Sequence, residues 1–267
     1  MILADVHTHS SFSTDSDEPL HEMAQSALSK GLKTLCLTEH HDFDHPHTGE
    51  FLLDVPAYRE EFTRVRGEFS DKLELLFGVE LGLLDYAAPR LYEFAKCAEF
   101  DFIIGSLHLA DGLDPYYPEY FDKMDDKNGI AHFFDAMLSS VKAFDDFDIL
   151  GHIDYIVRYS RAKSYDPPDY REVIDEILKT VISKGKGIEI NTAGVRSLGY
   201  PHPHPFVLKR YKELGGELVT VGSDAHDRTR IASDFDRAEQ ALKAEGFKYY
   251  AVFRARKPEL ISMDSIQ

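Results

Sequence analysis

The sequence predicts an α/β barrel of parallel strands, with one active site at the carboxyl ends of those strands. Short apolar runs alternate with amphipathic stretches along the chain, a pattern typical of βα units around a parallel sheet. The runs are nearly continuous in apolar residues, as expected for strands that are covered on both faces. The length of 267 residues is common for an α/β barrel that folds as one domain.

Seven apolar runs predict strands, and the stretches between them predict helices. The predicted strands cover residues 2–6, 34–38, 73–79, 102–107, 149–151, 187–190 and 218–222. Helices are expected around apolar stripes at 20–28, 173–182 and 238–242, and over 57–69, 89–98, 131–144 and 205–214. Gly31 and Gly185 fall just past two of the stripes, where a left-handed helix cap favours glycine. Residues 41–56 and 110–129 form two long excursions.

The charge balance limits the partners that the chain can bind. It carries 30 Lys and Arg residues against 47 Asp and Glu residues, a net charge of −17 with neutral histidines. Nucleic-acid binders need basic side chains to neutralise phosphates, so this balance argues against a nucleic-acid partner. Cys36 and Cys97 lack the paired spacing of a disulfide framework or a cysteine zinc module, and we expect both to be small buried residues.

No targeting or membrane segment is visible in the sequence. The first residues turn polar after four positions, which is too short for the apolar core of a signal peptide. No run approaches the ~18 apolar residues that a membrane helix needs. We therefore expect a cytoplasmic protein without a membrane partner.

Each predicted strand ends on, or is followed by, a side chain suited to metal binding or hydrogen bonding. In chain order these are His7 and His9, His40, Glu80, His108, His152, Asn191, and Asp224 with His226. Because the strands of a parallel barrel all end at one face, these distant residues are expected to converge on one pocket. Imidazole and carboxylate groups suit Zn, Fe or Mn, and with Asp15 the set exceeds what one tetrahedral ion takes. Several ions are expected, with Glu80 bridging two, an arrangement that suits phosphate ester hydrolysis.

Six motifs, in their order along the chain, resemble those of the PHP (polymerase and histidinol phosphatase) family. They are Asp5-Val-His-Thr-His9, Thr38-Glu-His-His41, Gly78-Val-Glu80, Gly105-Ser-Leu-His108, Gly151-His152 and Gly222-Ser-Asp-Ala-His226. Residues 188–196 and the overall length resemble the histidinol-phosphate phosphatases of this family. The resemblance implies a single PHP-type domain over residues 1–267, folded as a distorted, seven-stranded, TIM-like (β/α) barrel. It also implies hydrolysis of L-histidinol phosphate, in histidine biosynthesis, by a hydroxide bound to a trinuclear metal centre.

The resemblance further implies three divalent or transition metal ions (Zn, Fe and/or Mn) and their ligands. Carried over position by position, the first ion takes His7, His9, Glu80 and Asp224, the second Glu80, His108 and His152, and the third Asp15, His40 and His226. Asp15 stands where some relatives have histidine, which we expect to shift metal preference without removing the site. Asp5 and Glu39 are expected either to orient ligands or to serve local structure.

A phosphatase also needs cationic side chains near its substrate. Arg196 follows the strand that ends at Asn191, and Arg158 and Arg161 follow the fifth strand. The planar guanidinium group binds phosphate through two parallel hydrogen bonds. We expect Arg196, Arg161 and Asn191 to bind substrate. For Arg161 the alternative is a solvent-exposed loop position without a role in binding.

Proton transfer to the departing alkoxide suits an imidazole, which titrates near neutral pH. His41 and His202 are the two candidates, and the sequence does not decide between them. The remaining histidines lack strand-end placement and are expected to have surface or core roles; they are His21, His45, His47, His132 and His204. The aromatic group at 116–121 suits either stacking on an imidazole or packing of the excursion, and packing is favoured.

Two rival functions share these sequence features. A PHP-type phosphoesterase for another phosphomonoester or a nucleotide would use the same cluster, although the acidic balance argues against the nucleotide. A non-catalytic metal-binding module would hold ions without turning over an ester. Phosphate release from histidinol phosphate, generic esters and oligonucleotides separates these cases.

Overall fold

The computed structural model describes residues 1–46 and 51–264, and its centre is a barrel of seven parallel strands. The strands are β1 (Ala4–Asp5), β2 (Thr34–His41), β3 (Glu74–Gly82), β4 (Phe102–Ser106), β5 (Ile149–Leu150), β6 (Gly187–Asn191) and β7 (Val219–Gly222). Each strand pairs with the next one along the chain. The ring closes between its ends, where the Val6 amide donates to the Val221 carbonyl at 3.2 Å and Thr8 bridges Ala225.

Helices connect the strands and bury their apolar stripes against the barrel. They are α1 (Leu20–Ser29), α2 (Val55–Phe69), α3 (Ala88–Ala95), α4 (Pro118–Asp122), α5 (Asp126–Ala143), α6 (Arg171–Ser183), α7 (Ala193–Leu198), α8 (Pro205–Glu213) and α9 (Phe235–Ala244). Short 3-10 helices cover Asp85–Ala87, Tyr155–Tyr159 and Pro167–Tyr170. Because β2 is buried along its whole length, its side chains meet the barrel interior on one face and the helices on the other.

A β-hairpin covers the amino end of the barrel. It consists of β8 (Tyr249–Arg254) and β9 (Lys257–Ser262), which pair antiparallel. Phe253 stacks on Phe102 at the start of β4, and the Tyr250 hydroxyl accepts a hydrogen bond from the Leu3 amide before β1. The hairpin therefore closes the end of the barrel opposite to the strand carboxyl termini.

The predicted fold class is confirmed, and the differences lie at element ends. All seven predicted strands form, and β2 continues to His41 because its ladder with β3 continues. Gly31 and Gly185 follow α1 and α6 with φ of 80° and 69°, as expected for left-handed caps. The hairpin was not predicted. The expectation for Cys97 was wrong, because it lies exposed in the turn after α3, whereas Cys36 is buried.

Two further expectations concern the excursions and the membrane. The excursion at 110–129 contains α4 and the start of α5, which bury Tyr120 and Phe121. In the excursion at 41–56, residues 47–50 with His47 lie outside the described residues. Across residues 1–46 and 51–264, no helix combines the length and the apolar character needed to cross a bilayer.

Candidate metal centre and active site

The side chains that follow the barrel strands meet at the carboxyl end of the barrel. The parallel register sets His40 of β2 directly beside Glu80 of β3. The other predicted metal ligands lie just past the strands or in the loop after β1; they are His7, His9, Asp15, His108, His152, Asp224 and His226. All of these side chains except Asp15 and His226 are buried. The structure therefore brings the predicted ligands into one cluster.

Glu80 lies at the centre of this cluster. Its Oε2 atom is 3.1 Å from His7 Nε2 and 3.2 Å from His40 Nδ1. Its Oε1 atom is 2.9 Å from His152 Nε2 and 3.4 Å from His108 Nε2. His9 Nε2 also lies 3.5 Å from Oε2, so one carboxylate oxygen faces two imidazoles and the other three, which suits a carboxylate that bridges ions.

Asp224 and Asp15 extend the cluster towards the barrel rim. Asp224 Oδ1 is 3.5 Å from both His9 Nε2 and His226 Nδ1. Asp15 Oδ2 is 3.1 Å from His226 Nε2 and 3.6 Å from His40 Nε2. The His9 ring stacks between the rings of His40 and His226, and its centroid lies 4.2 Å from each of theirs.

Among the described residues, three groups of ligand atoms lie close enough together to hold an ion. The groups are His7 with His9 and Asp224, His40 with Glu80 and His108, and His9 with His40 and His226. Within each group the ligand atoms lie within 4.8 Å of one another. The groups overlap at His9 and His40, so ions held there would be close neighbours.

Carboxylates behind the cluster fix which ring nitrogen faces inward. His7 Nδ1 lies 2.6 Å from Glu189 Oε1, and His108 Nδ1 lies 2.6 Å from Asp42 Oδ1. Because an ionised carboxylate only accepts, Nδ1 of each ring donates and Nε2 presents its lone pair to the cluster. Neither Glu189 nor Asp42 was predicted from the sequence.

His9 is oriented by a longer chain of hydrogen bonds. The Ser13 hydroxyl donates to Glu39 Oε2 at 2.6 Å and therefore accepts from His9 Nδ1 at 3.1 Å. Glu39 also accepts from the Ser10 amide and hydroxyl, so its carboxylate is fully engaged. Of the two roles expected for Glu39, this geometry favours the orientation of a ligand.

Unpaired ring nitrogens show that the cluster fits metal ions. Within the described parts of the chain, the buried Nε2 atoms of His7, His9 and His226 lie 3.1–3.5 Å from carboxylate oxygens but make no hydrogen bond of regular geometry. Buried polar atoms without a partner are costly, and native structures rarely keep them unless a ligand completes them. Neutral imidazoles and carboxylates are the donors that Zn, Fe and Mn take.

The backbone after β7 is shaped for close approach at the cluster. A Cβ atom on Gly222 would lie 2.3 Å from His7 Cβ and 2.6 Å from Glu189 Oε1, so only glycine fits there. Asp224 adopts a left-handed conformation with φ of 53°, which side chains other than Gly, Asn and Asp rarely accept. Such strain at a candidate site indicates that the position of the carboxylate is functionally important.

Two side chains hold this segment in place. Asp5 accepts hydrogen bonds from the Ser223 amide at 2.9 Å and from its hydroxyl at 2.5 Å, and thereby fixes the residue before Asp224. The Asn191 side-chain amide donates to Glu189 Oε2 at 3.1 Å and to Asp224 Oδ2 at 3.3 Å. Asn191 therefore lies behind the ligands rather than on a cavity wall.

Burial and the neighbouring carboxylates have opposite effects on the pKa values of the histidines in the cluster. Burial disfavours the protonated His7 imidazole, but the carboxylates of Glu189, Glu80 and Asp224 outweigh it and raise the pKa of His7 well above its usual range. For His40, burial is likewise outweighed, mainly by Glu80, and the pKa rises to about 9. Burial together with two neighbouring imidazoles lowers the pKa of His9 to about 3. An ion entering the cluster would displace protons from the first two rings.

The cluster opens into a cavity of about 310 Å³. Beyond the predicted ligands, this substrate cavity is lined by Asp42, His45, Phe51, Asp114, Tyr116, Tyr117, Tyr155, Arg158 and Tyr159. His45, which was expected to have a surface or core role, lies on this wall with its Nε2 atom 3.2 Å from Asp114 Oδ2. Tyr116 and Tyr117, from the excursion at 110–129, face the cavity, while Tyr120 and Phe121 pack in the hydrophobic core.

The arginines near the cluster differ in their availability. Arg158 lines the substrate cavity, with its guanidinium carbon 4.2 Å from the Tyr155 ring centroid and 4.9 Å from that of Tyr159. Arg161 instead donates to the backbone carbonyls of Phe121 and Met124 and lines neither cavity beside the cluster. Arg196 lines a second cavity of about 460 Å³, which borders the cluster at Asp15, Asp224 and His226.

Neither candidate proton donor lines these two cavities. His41 points outward from β2, where Nδ1 accepts from the Leu53 amide at 3.1 Å and the ring stacks on Phe94. His202 is fully buried, with Nδ1 2.5 Å from Asp154 Oδ1. Both rings are therefore held by the protein at a distance from the cavity walls.

Comparisons with known proteins agree with this geometry. The PHP domain family model matches residues 5–193. A histidinol-phosphatase from Lactococcus lactis subsp. lactis is 33% identical over 95% of each chain, and a probable histidinol-phosphatase from Clostridium acetobutylicum is 34% identical over 88% of this chain and 90% of its own.

A solved structure of similar fold carries ligands. The crystal structure of histidinol phosphate phosphatase from Lactococcus lactis, complexed with Zn, L-histidinol and phosphate, superposes with a TM-score of 0.88 at 31% identity. It covers 96% of this chain and 98% of its own. With the family model matched over most of the barrel and relatives similar along nearly the whole chain, this protein belongs to the PHP domain family.

Proposed function

We propose that the chain is a metal-dependent phosphomonoesterase that hydrolyses L-histidinol phosphate to L-histidinol and phosphate. The observation that carries this proposal is the Glu80-centred cluster of imidazoles and carboxylates, which opens directly into the substrate cavity. The similar Lactococcus lactis structure, which is complexed with zinc and both products of this reaction, supports the choice of substrate. The proposal treats residues 1–267 as one PHP-type domain, supported by a hydrophobic core that extends from Ile2 to Met263.

The proposed metal ligands are those expected from the resemblance. A first ion would take His7, His9, Glu80 and Asp224, a second Glu80, His108 and His152, and a third Asp15, His40 and His226. The three groups of close ligand atoms support this division, because each shares at least two members with one of these sets. Zn, Fe and Mn all accept these donors. Ions held there would activate a water molecule near neutral pH and offset the negative charge that develops on the phosphate.

The chain's own groups would bind and orient the phosphate. Tyr155 and Tyr159 hold the flat face of the Arg158 guanidinium, which leaves its N–H edge available for phosphate oxygens. Arg196 borders the cluster from the second cavity. Asn191 acts indirectly, by fixing the carboxylate of Asp224. We therefore assign phosphate contact to Arg158 and Arg196, while Arg161 is held by backbone carbonyls.

The remaining walls of the substrate cavity suit the organic part of histidinol phosphate. Asp114 offers a carboxylate to an ammonium group, and Tyr116 offers an exposed aromatic face to an imidazole. The alkoxide that departs needs a proton from a group on these walls. His45 lies there beside Asp114, whereas His41 and His202 do not.

A metal analysis combined with an assay tests the proposal. The purified chain should contain Zn, Fe or Mn and release phosphate from L-histidinol phosphate far faster than from glycerol phosphate or an oligonucleotide. A chelator should remove both metal and activity, and the same metal should restore them.

Asp224→Asn makes this test specific to the cluster. Asparagine accepts the left-handed backbone at this position, so the fold should survive while metal content and turnover fall together. The matched control is Asp227→Asn in the same loop, whose carboxylate accepts from the Thr229 amide instead. Full turnover by Asp224→Asn, or equal hydrolysis of all esters, would contradict the proposal.

A further inference from the structure

Two arginines at one cavity lack the partners that arginines elsewhere in this chain have. Within residues 1–46 and 51–264, the other guanidinium groups contact an acidic side chain, a backbone carbonyl or an aromatic ring. Arg196 and Arg230 make no side-chain hydrogen bond, ion pair or ring contact with any described residue. In a chain with a net charge of −17, two such cations side by side call for an anionic ligand.

Both arginines line the second cavity beside the cluster. This phosphate cavity of about 460 Å³ shares five lining residues with the substrate cavity, namely Asp15, Arg158, Tyr159, Asp224 and His226. From these shared residues it continues past Ala193 to Arg196, Asp227 and Arg230. Two cavities of different chemistry therefore meet at the cluster, one aromatic and acidic, the other containing three arginines.

The acidic groups of the phosphate cavity are already engaged. Asp227 accepts from the Thr229 amide at 2.8 Å and from the Thr229 hydroxyl. Asp15 and Asp224 face the imidazoles of the cluster. The guanidinium groups of Arg196 and Arg230 thus remain available to an incoming oxyanion.

We propose that the part of the phosphate cavity beyond the shared residues is an outer inorganic phosphate site, formed by Arg230 together with Arg196, through which the phosphate product leaves the cluster. This inference rests on the proposed function. Hydrolysis consumes the ester and one water and yields the alcohol and phosphate, so the two products can leave through different cavities. The alcohol leaves through the substrate cavity, where its imidazole and amine bind.

Replacement of Arg230 tests this site, because the residue is exposed and contacts neither the cluster nor the substrate cavity. In Arg230→Gln, the inhibition constant of inorganic phosphate should rise about three- to tenfold, the loss expected for one charge-assisted contact that is partly exposed. The KM for L-histidinol phosphate should stay within about twofold, since Arg230 does not line the substrate cavity. Arg228→Gln is the matched control, because its guanidinium is already paired with Glu18 and Glu22.

Two kinetic outcomes would overturn the inference. An unchanged inhibition constant would show that phosphate does not use Arg230. A parallel rise of the inhibition constant and the KM would show that Arg230 binds the ester in the same place as the product.

A titration separates this inference from the proposed function. Inorganic phosphate is titrated into wild type, Arg230→Gln and Arg228→Gln at equal metal content and low ionic strength, and binding is followed by phosphorus NMR or calorimetry. Weaker binding by Arg230→Gln alone supports the site even if histidinol phosphate is not hydrolysed. Identical titrations for all three proteins would overturn it, whatever the substrate is.

Discussion

The two ends of the barrel hold buried carboxylates in opposite states. At the amino end, the buried Asp148 accepts from the Ile103 amide at 2.8 Å and from Arg256 Nε at 2.6 Å, and the partly buried Asp101 accepts from two backbone amides. At the carboxyl end, Glu80 is surrounded by imidazoles, and several of their nitrogens make no hydrogen bond of regular geometry with any described residue. At the amino end, hydrogen bonds within the protein satisfy the carboxylates, and these groups contribute to stability. At the carboxyl end, bound ions are needed to satisfy the imidazoles and carboxylates, and these groups serve catalysis.

The largest effect is expected from Glu80 at the carboxyl end. Glu80→Gln removes the charge shared by five imidazoles, so metal binding and turnover should both be lost, by more than the ~100-fold that an outer hydrogen-bond partner costs. Elemental analysis and the phosphate release assay measure the two losses. Some loss of stability in the metal-free protein is also expected, because Glu80 is among the carboxylates that raise the pKa of the buried His7 and His40 imidazoles. Retained metal with lost stability would reverse the roles that we assign to the two ends.

A smaller loss is expected one layer behind the cluster. Glu189→Gln replaces the carboxylate that fixes Nδ1 of His7, and metal affinity or kcat/KM should fall by roughly 10–100-fold. Competition with a chelator of known affinity measures the first quantity, and steady-state kinetics the second. Glu172→Gln, on the exposed face of α6, is the control. Unchanged metal affinity and kinetics would place Glu189 with the purely structural groups.

At the amino end, the expected loss is in stability alone. Arg256→Ala leaves the carboxylate of Asp148 buried without its cation, and the free energy of unfolding should fall by about 2 kcal/mol. Urea unfolding of the metal-free protein measures this change. The kcat/KM of the folded fraction should stay at the wild-type value. A drop in kcat/KM would show that the amino end also affects the site.

The smallest effect concerns Arg254 and the acid side of the pH range. Burial would raise the pKa of Glu74, but hydrogen bonds from Arg254 and Thr34 outweigh it and hold the pKa below 4.5. A lowered carboxyl pKa stabilises the fold above 4.5, and this contribution is lost as the pH falls through the folded value. Arg254→Gln should therefore cost about 0.5 kcal/mol at pH 7, and the difference from wild type should shrink below pH 4.5. A difference that grows in acid would exclude this ion pair as the cause.

The sequence predicts the carboxyl end of the barrel better than the amino end. The strands and the cluster follow from one rule, because each apolar run is followed by a side chain that the parallel topology delivers to the same face. The hairpin escapes prediction because its turn residues, Ala255 and Arg256, have φ of 47° and 65° without the glycine or asparagine that signals such a turn. The Ala255 amide donates to the Asp101 carboxylate and the Arg256 amide to the Asp101 carbonyl, and these two hydrogen bonds hold the turn in its left-handed conformation.

Within the site, prediction from sequence is weakest where a residue's role depends on the direction in which its side chain points. Arg158 and Arg161 lie three positions apart, but the 3-10 helix at Tyr155–Tyr159 turns the first to the cavity while the second reaches α4. The positions of Asp42 and Glu189 did indicate a role, since an acidic residue next to or inside an apolar strand is buried and needs a hydrogen-bond partner. Their partners, however, come from other strands and appear only in three dimensions.

The hairpin also decides where the chain can be extended. The Met1 ammonium donates to the Met263 carbonyl at 2.7 Å, so the first residue and the end of the hairpin meet beneath the barrel. An affinity handle, a fluorescent label or a surface linker attached at either place would point away from the substrate. A short loop joining the two would give a circular permutant, with new termini in an exposed turn elsewhere and the cluster left intact.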